Sequence, residues 1–146
     1  LGPLGETVVN EAGTSLRENW NGDDPRAHLG VMTLNFPNLF MLYGPGTNLA
    51  HGGSIIFHME CQARYIMQAL REMLEGGHRR MECRQAPHDA YNERLDAKHY
   101  SMVWTHPGVN NWYKNKAGRV FANSPWRLVD YWAFTAEIDP AEYDLA

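Results

Sequence analysis

The sequence contains no complete nucleotide-binding or nucleophile motif. Neither G-x-G-x-x-G nor G-x-x-x-x-G-K-[ST] occurs in its 146 residues, so a full phosphate-binding fingerprint is absent. G-x-S-x-G is absent too, and Ser54 and Ser124 have no neighbouring partner typical of a catalytic triad. We therefore predict that no residue of this chain is itself a catalytic nucleophile, acid or base.

Cysteine is scarce, and the pattern around it does not favour a metal site. The two cysteines are Cys61 and Cys83, too few for a disulfide framework, which makes a reducing cytoplasm the expected compartment. His58 lies three residues before Cys61, but zinc requires four converging ligands. Because no C-x-x-C or H-x-x-x-H pair supplies the others, we predict no metal.

Long apolar runs and an excess of positive charge are also missing. No window approaches the ~18 apolar residues of a membrane span, and residues 1–9 lack the charged and apolar regions of a signal peptide. The net charge of −4 and pI near 5.9 argue against partners such as nucleic acid or anionic membrane. A hydrophobic content of 44% is typical of one globular core.

The most informative stretch that is present runs from residue 35 to residue 77. Residues 38–43 form a nearly unbroken apolar run, typical of a strand buried in a parallel sheet. Gly44-Pro45-Gly46 ends it, a small polar loop follows, and Ser54 is a good N-cap for a long helix that Gly76-Gly77 closes. A strand, a glycine-rich turn and a helix start can bind an anion or a carbonyl through free N–H groups. A tight connection without a ligand remains the alternative.

Helical spacing extends through that long helix and recurs later in the chain. Apolar residues at three- and four-residue steps predict one continuous face, made of Ile55, Ile56, Met59, Ala63, Ile66, Met67, Leu70 and Leu74. A second helix is predicted over residues 88–102 and a further helical turn after Ser124-Pro125. Residues 7–16 read as a weak hairpin. The predicted fold class is therefore α/β for the strand–turn–helix part, followed by an aromatic-rich α+β tail.

Three features allow both a binding and a purely structural interpretation. His51 stands in the turn before the helix, where it can face a ligand or solvent. Trp112 stands in a polar, lysine-flanked turn, where an indole either covers a ligand or packs under the last helix. The basic stretch 78–84 either contacts a phosphate or is a solvated loop or edge strand, and the structural interpretation is favoured.

Several ordered motifs resemble one enzyme family. Asn35-Phe36-Pro37-Asn38-Leu39-Phe40, Gly44-Pro45-Gly46, Gly52-Gly53-Ser54, Glu60-Cys61-Gln62 and the stretches 20–30 and 111–132 are similar to the C-terminal part of flavin-dependent Baeyer–Villiger monooxygenases. Within this family, the motifs resemble those of the branch that includes 4-hydroxyacetophenone monooxygenase. The resemblance covers nearly the whole chain beyond about residue 14.

The resemblance implies cofactors, a substrate class and site residues. Enzymes of this family use FAD and NADPH to insert one oxygen atom from O₂ into a ketone, which gives an ester or lactone. The residues expected to contact the cofactors are Gly44, Gly46, Gly53, Ser54, Ile55 and Trp112. The residues expected to line the ketone pocket are Asn48, Leu49, His51 and Gly52.

The resemblance also implies that the chain is a fragment. The dinucleotide motifs and the catalytic arginine of the family belong to upstream sequence that is not present here, so FAD and NADPH are expected to need that region. Residues 1–77 would complete the FAD-binding domain and residues 78–146 would form a helix and aromatic tail. The bare apolar strand and helix predict a homo-oligomer. A non-catalytic interaction module and an N- or S-oxygenating flavin enzyme remain the alternatives.

Overall fold

A computed structural model describes residues 2–146, and its longest element is helix α3, Ile55–Gly76. The other helices are α1 (Leu4–Thr7), α2 (Leu16–Asn19), α4 (Gln85–His99) and α5 (Leu128–Phe134). Two 3-10 turns cover Val103–Thr105 and Pro140–Glu142. Strands β1 (Met81–Cys83) and β2 (Tyr143–Leu145) pair antiparallel, with Met81 opposite Leu145. Among the described residues, no helix is long and apolar enough to cross a membrane.

The ends of α3 lie where the local signals predict them. The Ser54 hydroxyl accepts a hydrogen bond of 3.3 Å from the Phe57 N–H, which satisfies one of the free donors of the first turn. At the other end Gly77 has a φ of 72°, the left-handed conformation typical of a helix C-terminus. The predicted helix, its N-cap and its glycine stop are confirmed.

The predicted strand over residues 38–43 is wrong for this chain. The segment has no strand partner in the described residues, and Tyr43 turns it with a φ of 57°. The Met41 N–H donates to the Val31 carbonyl at 2.8 Å, but no ladder continues from that bond. A strand of a parallel sheet needs neighbouring strands to satisfy its backbone, and the two strands among residues 2–146 lie elsewhere. Leu42 is therefore half-exposed instead of buried.

One hydrophobic core draws on both halves of the chain. Its buried members are Leu29, Val31, Met32, Tyr65, Ala69, Met73, Met81, Cys83, Tyr91, Leu95 and Tyr143. The hydroxyls of Tyr65 on α3 and Tyr143 on β2 lie 2.5 Å apart inside it. The core therefore contains residues from both sides of the predicted boundary between residues 77 and 78, which itself stays a prediction.

The face of α3 that the pattern marks as apolar is largely exposed. The exposed fraction of the residue is 61% for Ile56, 64% for Met67 and 80% for Leu74. The residues that α3 buries instead are His58, Cys61, Gln62, Tyr65, Ala69 and Met73. The bare apolar face expected from the resemblance is thus present.

The remaining elements follow their sequence signals with small shifts. The second helix, α4, begins and ends three residues earlier than predicted. In the N-terminal region the weak hairpin is one antiparallel bridge between Val9 and Ser15. Strand β1 lies within the basic stretch 78–84, as the structural interpretation of that stretch as an edge strand predicts. Helices α4 and α5 together with β1 and β2 give the α+β character predicted for the tail.

Candidate functional site

The opening of α3 presents unpaired backbone donors to solvent. The N–H groups of Ile55 and Ile56 have no hydrogen-bond partner in the described part of the chain, and the first turn has no acidic residue. Gly52 and Gly53, with φ of 96° and 107°, carry the chain into this turn along an exposed path. Because the positive end of the helix dipole is here, the opening attracts negative charge.

The glycine turn before it is held by the C-terminal part of the chain. Gly46 donates its N–H to the Phe121 carbonyl at 2.9 Å. Asn48 donates its backbone N–H to Ala122 at 2.9 Å, and its side-chain amide donates to Asn123 Oδ1 at 2.6 Å. The other side-chain atom of Asn48, Oδ1, accepts from the Tyr43 hydroxyl. The turn is therefore fixed by tertiary hydrogen bonds as well as by its glycines.

Beside this turn lies an open hollow with a volume of about 540 Å³. Its wall is mainly apolar: Leu4, Val8, Leu16, Trp20, Leu39, Phe40, Met41, Leu42, Pro45 and Phe121 belong to it. Three of the predicted site residues, Gly44, Asn48 and Trp112, also line it. A hollow of this size and polarity suits an apolar small molecule or a packed apolar segment.

Trp112 stands at the rim of this hollow and is 66% exposed. Its ring packs against Tyr113, with the ring centroids 4.5 Å apart, and its indole N–H has no acceptor in the described residues. The alternative in which Trp112 packs under the last helix is not realised. An exposed indole beside an apolar hollow can cover what the hollow contains.

The other predicted site residues do not line the hollow. Gly53, Ser54 and Ile55 form the opening of α3, and Gly46 packs near Leu95. The lining also omits the predicted pocket residues Leu49, His51 and Gly52. His51 is exposed, and its ring stacks 6.1 Å from that of Trp104. The structure thus divides the predicted site into a helix opening and a hollow.

A buried histidine was not predicted as a site residue. His58, the fourth residue of α3, is fully buried and stacks on Tyr131 with ring centroids 3.6 Å apart. Neither ring nitrogen has a hydrogen-bond partner in the described residues. Burial lowers the pKa of His58 to about 4, and nearby His51 adds to the effect, so the ring is neutral at pH 7. The only feature of the sequence that indicates burial of His58 is its position among apolar residues of the predicted helix.

Nothing in the described residues forms a metal site. No group of three or more His, Cys, Asp or Glu side chains there could hold an ion. His58 is buried without a hydrogen-bond partner on its ring, and Cys61 and Cys83 are buried and form no disulfide. Burial raises the pKa of the Cys83 thiol to about 12, which keeps it protonated and unreactive at neutral pH.

Comparison with known sequences finds monooxygenases. No family model matches the chain. An uncharacterized monooxygenase named y4iD from Sinorhizobium fredii is 43% identical over 136 residues, which is 93% of this chain and 20% of that protein. A protein of Pseudomonas aeruginosa named Baeyer–Villiger monooxygenase is 32% identical over 142 residues, 94% of this chain and 26% of its own length. The chain thus spans about a fifth to a quarter of these relatives.

Solved structures agree at the level of the fold. Steroid monooxygenase bound to NADP matches with a TM-score of 0.79 at 23% identity, over 94% of this chain and 26% of that one. A complex of OTEMO with FAD and NADP matches with a TM-score of 0.78 at 20% identity, again over 94% of this chain and 26% of that one. The resemblance drawn from the motifs is confirmed: this chain is the counterpart of one segment of monooxygenases, among them Baeyer–Villiger monooxygenases.

Proposed function

We propose that this chain is a segment of an FAD- and NADPH-dependent monooxygenase that inserts oxygen into ketones. The observation that carries the proposal is similarity over nearly the whole chain to relatives named Baeyer–Villiger monooxygenase and FAD-binding monooxygenase. Related folds are known with FAD and NADP and with cyclohexanone bound. The product class would be an ester or a lactone. The cytoplasm is the proposed compartment.

The opening of α3 fits a contact with FAD. The free N–H groups of Ile55 and Ile56 and the exposed Ser54 leave this helix end open to a planar ring, and Gly52 adds no side chain beside it. When bound, FAD would supply the redox chemistry that activates O₂. The helix end would stabilise negative charge on the reduced ring through its dipole and its unpaired amides. Gly44 and Gly46 would hold the preceding turn close to the cofactor.

The loop before α3 and Trp112 would form part of the substrate site. Asn48, Leu49, His51 and Gly52 would line the ketone pocket, and Trp112 would cover NADPH and substrate. The exposed indole at the rim of an apolar hollow supports this role for Trp112. Residues 1–77 would complete the FAD-binding domain and residues 78–146 would contribute the covering segment.

A graft provides the test, because the proposal concerns a larger enzyme. This chain replaces the matching segment of the Pseudomonas aeruginosa Baeyer–Villiger monooxygenase. We expect the purified graft to carry FAD and to convert an aryl ketone to an ester with NADPH. A graft that binds FAD but oxidises only amines or sulfides would contradict the reaction class.

A second graft tests the placement of the flavin. Gly53→Val should reduce the flavin content, because its added side chain meets Leu128 Cδ1 at 2.8 Å and would displace the helix opening. Gly22→Val is the matched control, since Gly22 also has a positive φ, of 88°, but lies far from α3 in sequence and has no atom within 4 Å of an added Cβ. Equal flavin content in the two variants would show that FAD does not contact this opening.

A further inference from the structure

Arg119 is held between two carboxylates at the end of the segment that carries Trp112. Its Nε lies 2.9 Å from Asp96 Oδ1 and 3.1 Å from Asp96 Oδ2. Its Nη1 donates to Asp24 Oδ1 and to the Pro25 carbonyl, both at 3.1 Å. The Arg119 side chain is 13% exposed, so these bonds are shielded from most competing water. A guanidinium in such a fork is fixed in direction as well as in position.

A second guanidinium completes the arrangement. Arg26 contacts the same two acids, with Nε 3.0 Å from Asp24 Oδ2 and Nη1 3.1 Å from Asp96 Oδ2. The two carboxylates and two guanidiniums alternate and balance in charge. Asp96 belongs to α4, whereas Asp24 lies in the turn that follows α2. The cluster therefore ties the end of the segment to two separate parts of the chain.

The residues just before Arg119 are held to the same turn. We name residues 106–119 the Trp112 loop. Asn115 donates its side-chain amide to Asp24 Oδ1 at 3.2 Å, and the Lys116 N–H donates to Asp23 Oδ2 at 3.0 Å. Asn115 also accepts the Arg119 N–H at 2.9 Å through its side-chain oxygen. The C-terminal base of the loop is thus fixed by at least three independent contacts.

The tip of the loop contrasts with this base. Trp112 lies three residues before Asn115 and is mostly exposed, and its indole N–H is unpaired in the described part of the chain. The Lys114 ammonium binds inside the loop, to the carbonyls of His106 and Val109, while the backbone at Lys114 pairs with Val120 and the Tyr113 carbonyl accepts the Phe121 N–H at 2.9 Å. The base of the loop and this pairing beside Trp112 therefore determine together where the indole stands at the hollow.

We propose that Arg119 is a positioning residue that, with Asp24, Asp96 and Arg26, sets the place of Trp112 at the rim of the hollow. The contribution of this positioning to catalysis rests on the proposed function, in which Trp112 covers NADPH and substrate. The positioning itself uses only contacts within this chain, so it is testable without cofactor or substrate.

The test is ¹⁹F NMR on the chain labelled with 5-fluorotryptophan. The five tryptophans give five signals, and Trp112→Phe assigns the relevant one. Arg119→Gln removes the charge and Arg119→Lys keeps it without the fork. We expect both to shift or broaden the Trp112 signal more than the other four, with the smaller effect in the lysine variant. The matched control is Arg127→Gln, which breaks an exposed ion pair with Asp130.

Trypsin provides a second readout. Lys114 and Lys116 lie in the loop, and loosening its base should raise the cleavage rate after them about tenfold, since charge-assisted hydrogen bonds resist local opening. The control variant should cleave at the wild-type rate. An unchanged Trp112 signal with unchanged cleavage would overturn the proposal. Equal shifts of all five signals in both Arg119 variants would also overturn it, because Arg119 would then support the whole fold. Neither outcome would bear on the FAD test above.

Discussion

Gly52 and Gly53 offer a matched pair for a quantitative prediction at the opening of α3. Both have positive φ values, 96° and 107°, which an L side chain adopts only with strain. A methyl group built on Gly52 meets no atom within 4 Å, whereas one on Gly53 lies 2.8 Å from Leu128 Cδ1. The two Gly→Ala variants therefore share the backbone cost and differ in the contact with α5.

The expected magnitudes follow from these two terms. The backbone strain should cost each variant about 1–2 kcal/mol in free energy of unfolding. Overpacking against Leu128 should cost Gly53→Ala roughly 1–3 kcal/mol more. For a chain of this length about 3 °C of Tm corresponds to 1 kcal/mol. The extra loss should therefore be about 3–9 °C.

The assay is urea and thermal unfolding followed by circular dichroism. Adding Leu128→Ala to Gly53→Ala should recover part of the extra loss, because it removes the contacting methyl groups, and should recover nothing in Gly52→Ala. Equal stability of the two single variants would refute the placement of Gly53 against α5.

Three further predictions concern pH, assembly and cofactor. Because the pKa of His58 falls from 6.5 in the unfolded chain to about 4 in the folded one, the unfolded state binds more protons between these values. Stability should therefore fall by about 3 kcal/mol as the pH drops from 6.5 to 4, and urea titrations of His58→Phe should show a correspondingly flatter profile; an unchanged profile would mean that the ring is not buried. The bare apolar surface should make the chain self-associate at micromolar concentration, and Leu42→Lys or Leu74→Lys should weaken this in sedimentation velocity; a 16.7 kDa monomer would contradict it. The isolated chain should not retain FAD through gel filtration, and a stoichiometric yellow complex would show that no upstream region is needed.

Sequence predicted the elements whose signals are local. The N-cap Ser54, the 3.6-residue spacing and the stop at Gly77 all act within α3, so the helix could be read directly from the residues. Helix α4 was predicted with a three-residue shift because it begins at Gln85, after the N-cap Arg84, and not after Pro87. In both cases neighbouring residues in the chain carry the information.

The prediction of a strand over residues 38–43 failed because strand formation depends on residues that are distant in the sequence. An apolar run indicates burial, but a strand forms only where other strands satisfy its N–H and C=O groups. In this chain the Met41 N–H finds a loop carbonyl, that of Val31, and the run ends in a bend at Tyr43. Residues 38–43 are apolar as the pattern indicates, but no neighbouring strand is available to pair with them.

In the candidate site too, local features could be predicted from the sequence and long-range contacts could not. Glycines in the turn and at the helix start were visible in the sequence, and the structure gives Gly46, Gly52 and Gly53 the positive φ values that only glycine adopts easily. The ion cluster of Arg119 joins residues up to 95 positions apart, and no spacing rule reveals such contacts. Prediction from sequence therefore found the backbone of the site and missed the side chains that brace it.

Several of the exposed apolar residues are ones that the sequence marks as buried. Ile56, Met67 and Leu74 on α3 and Leu42 before the glycine turn have the spacing or the composition of core positions, yet they face solvent. Stable monomers rarely leave such surfaces uncovered, and this chain corresponds to only about a fifth to a quarter of its relatives. The absence of the strand over residues 38–43 and the exposed apolar face of α3 thus have one explanation. Both segments have the apolar pattern of buried elements, but this chain by itself does not contain the residues that would cover them.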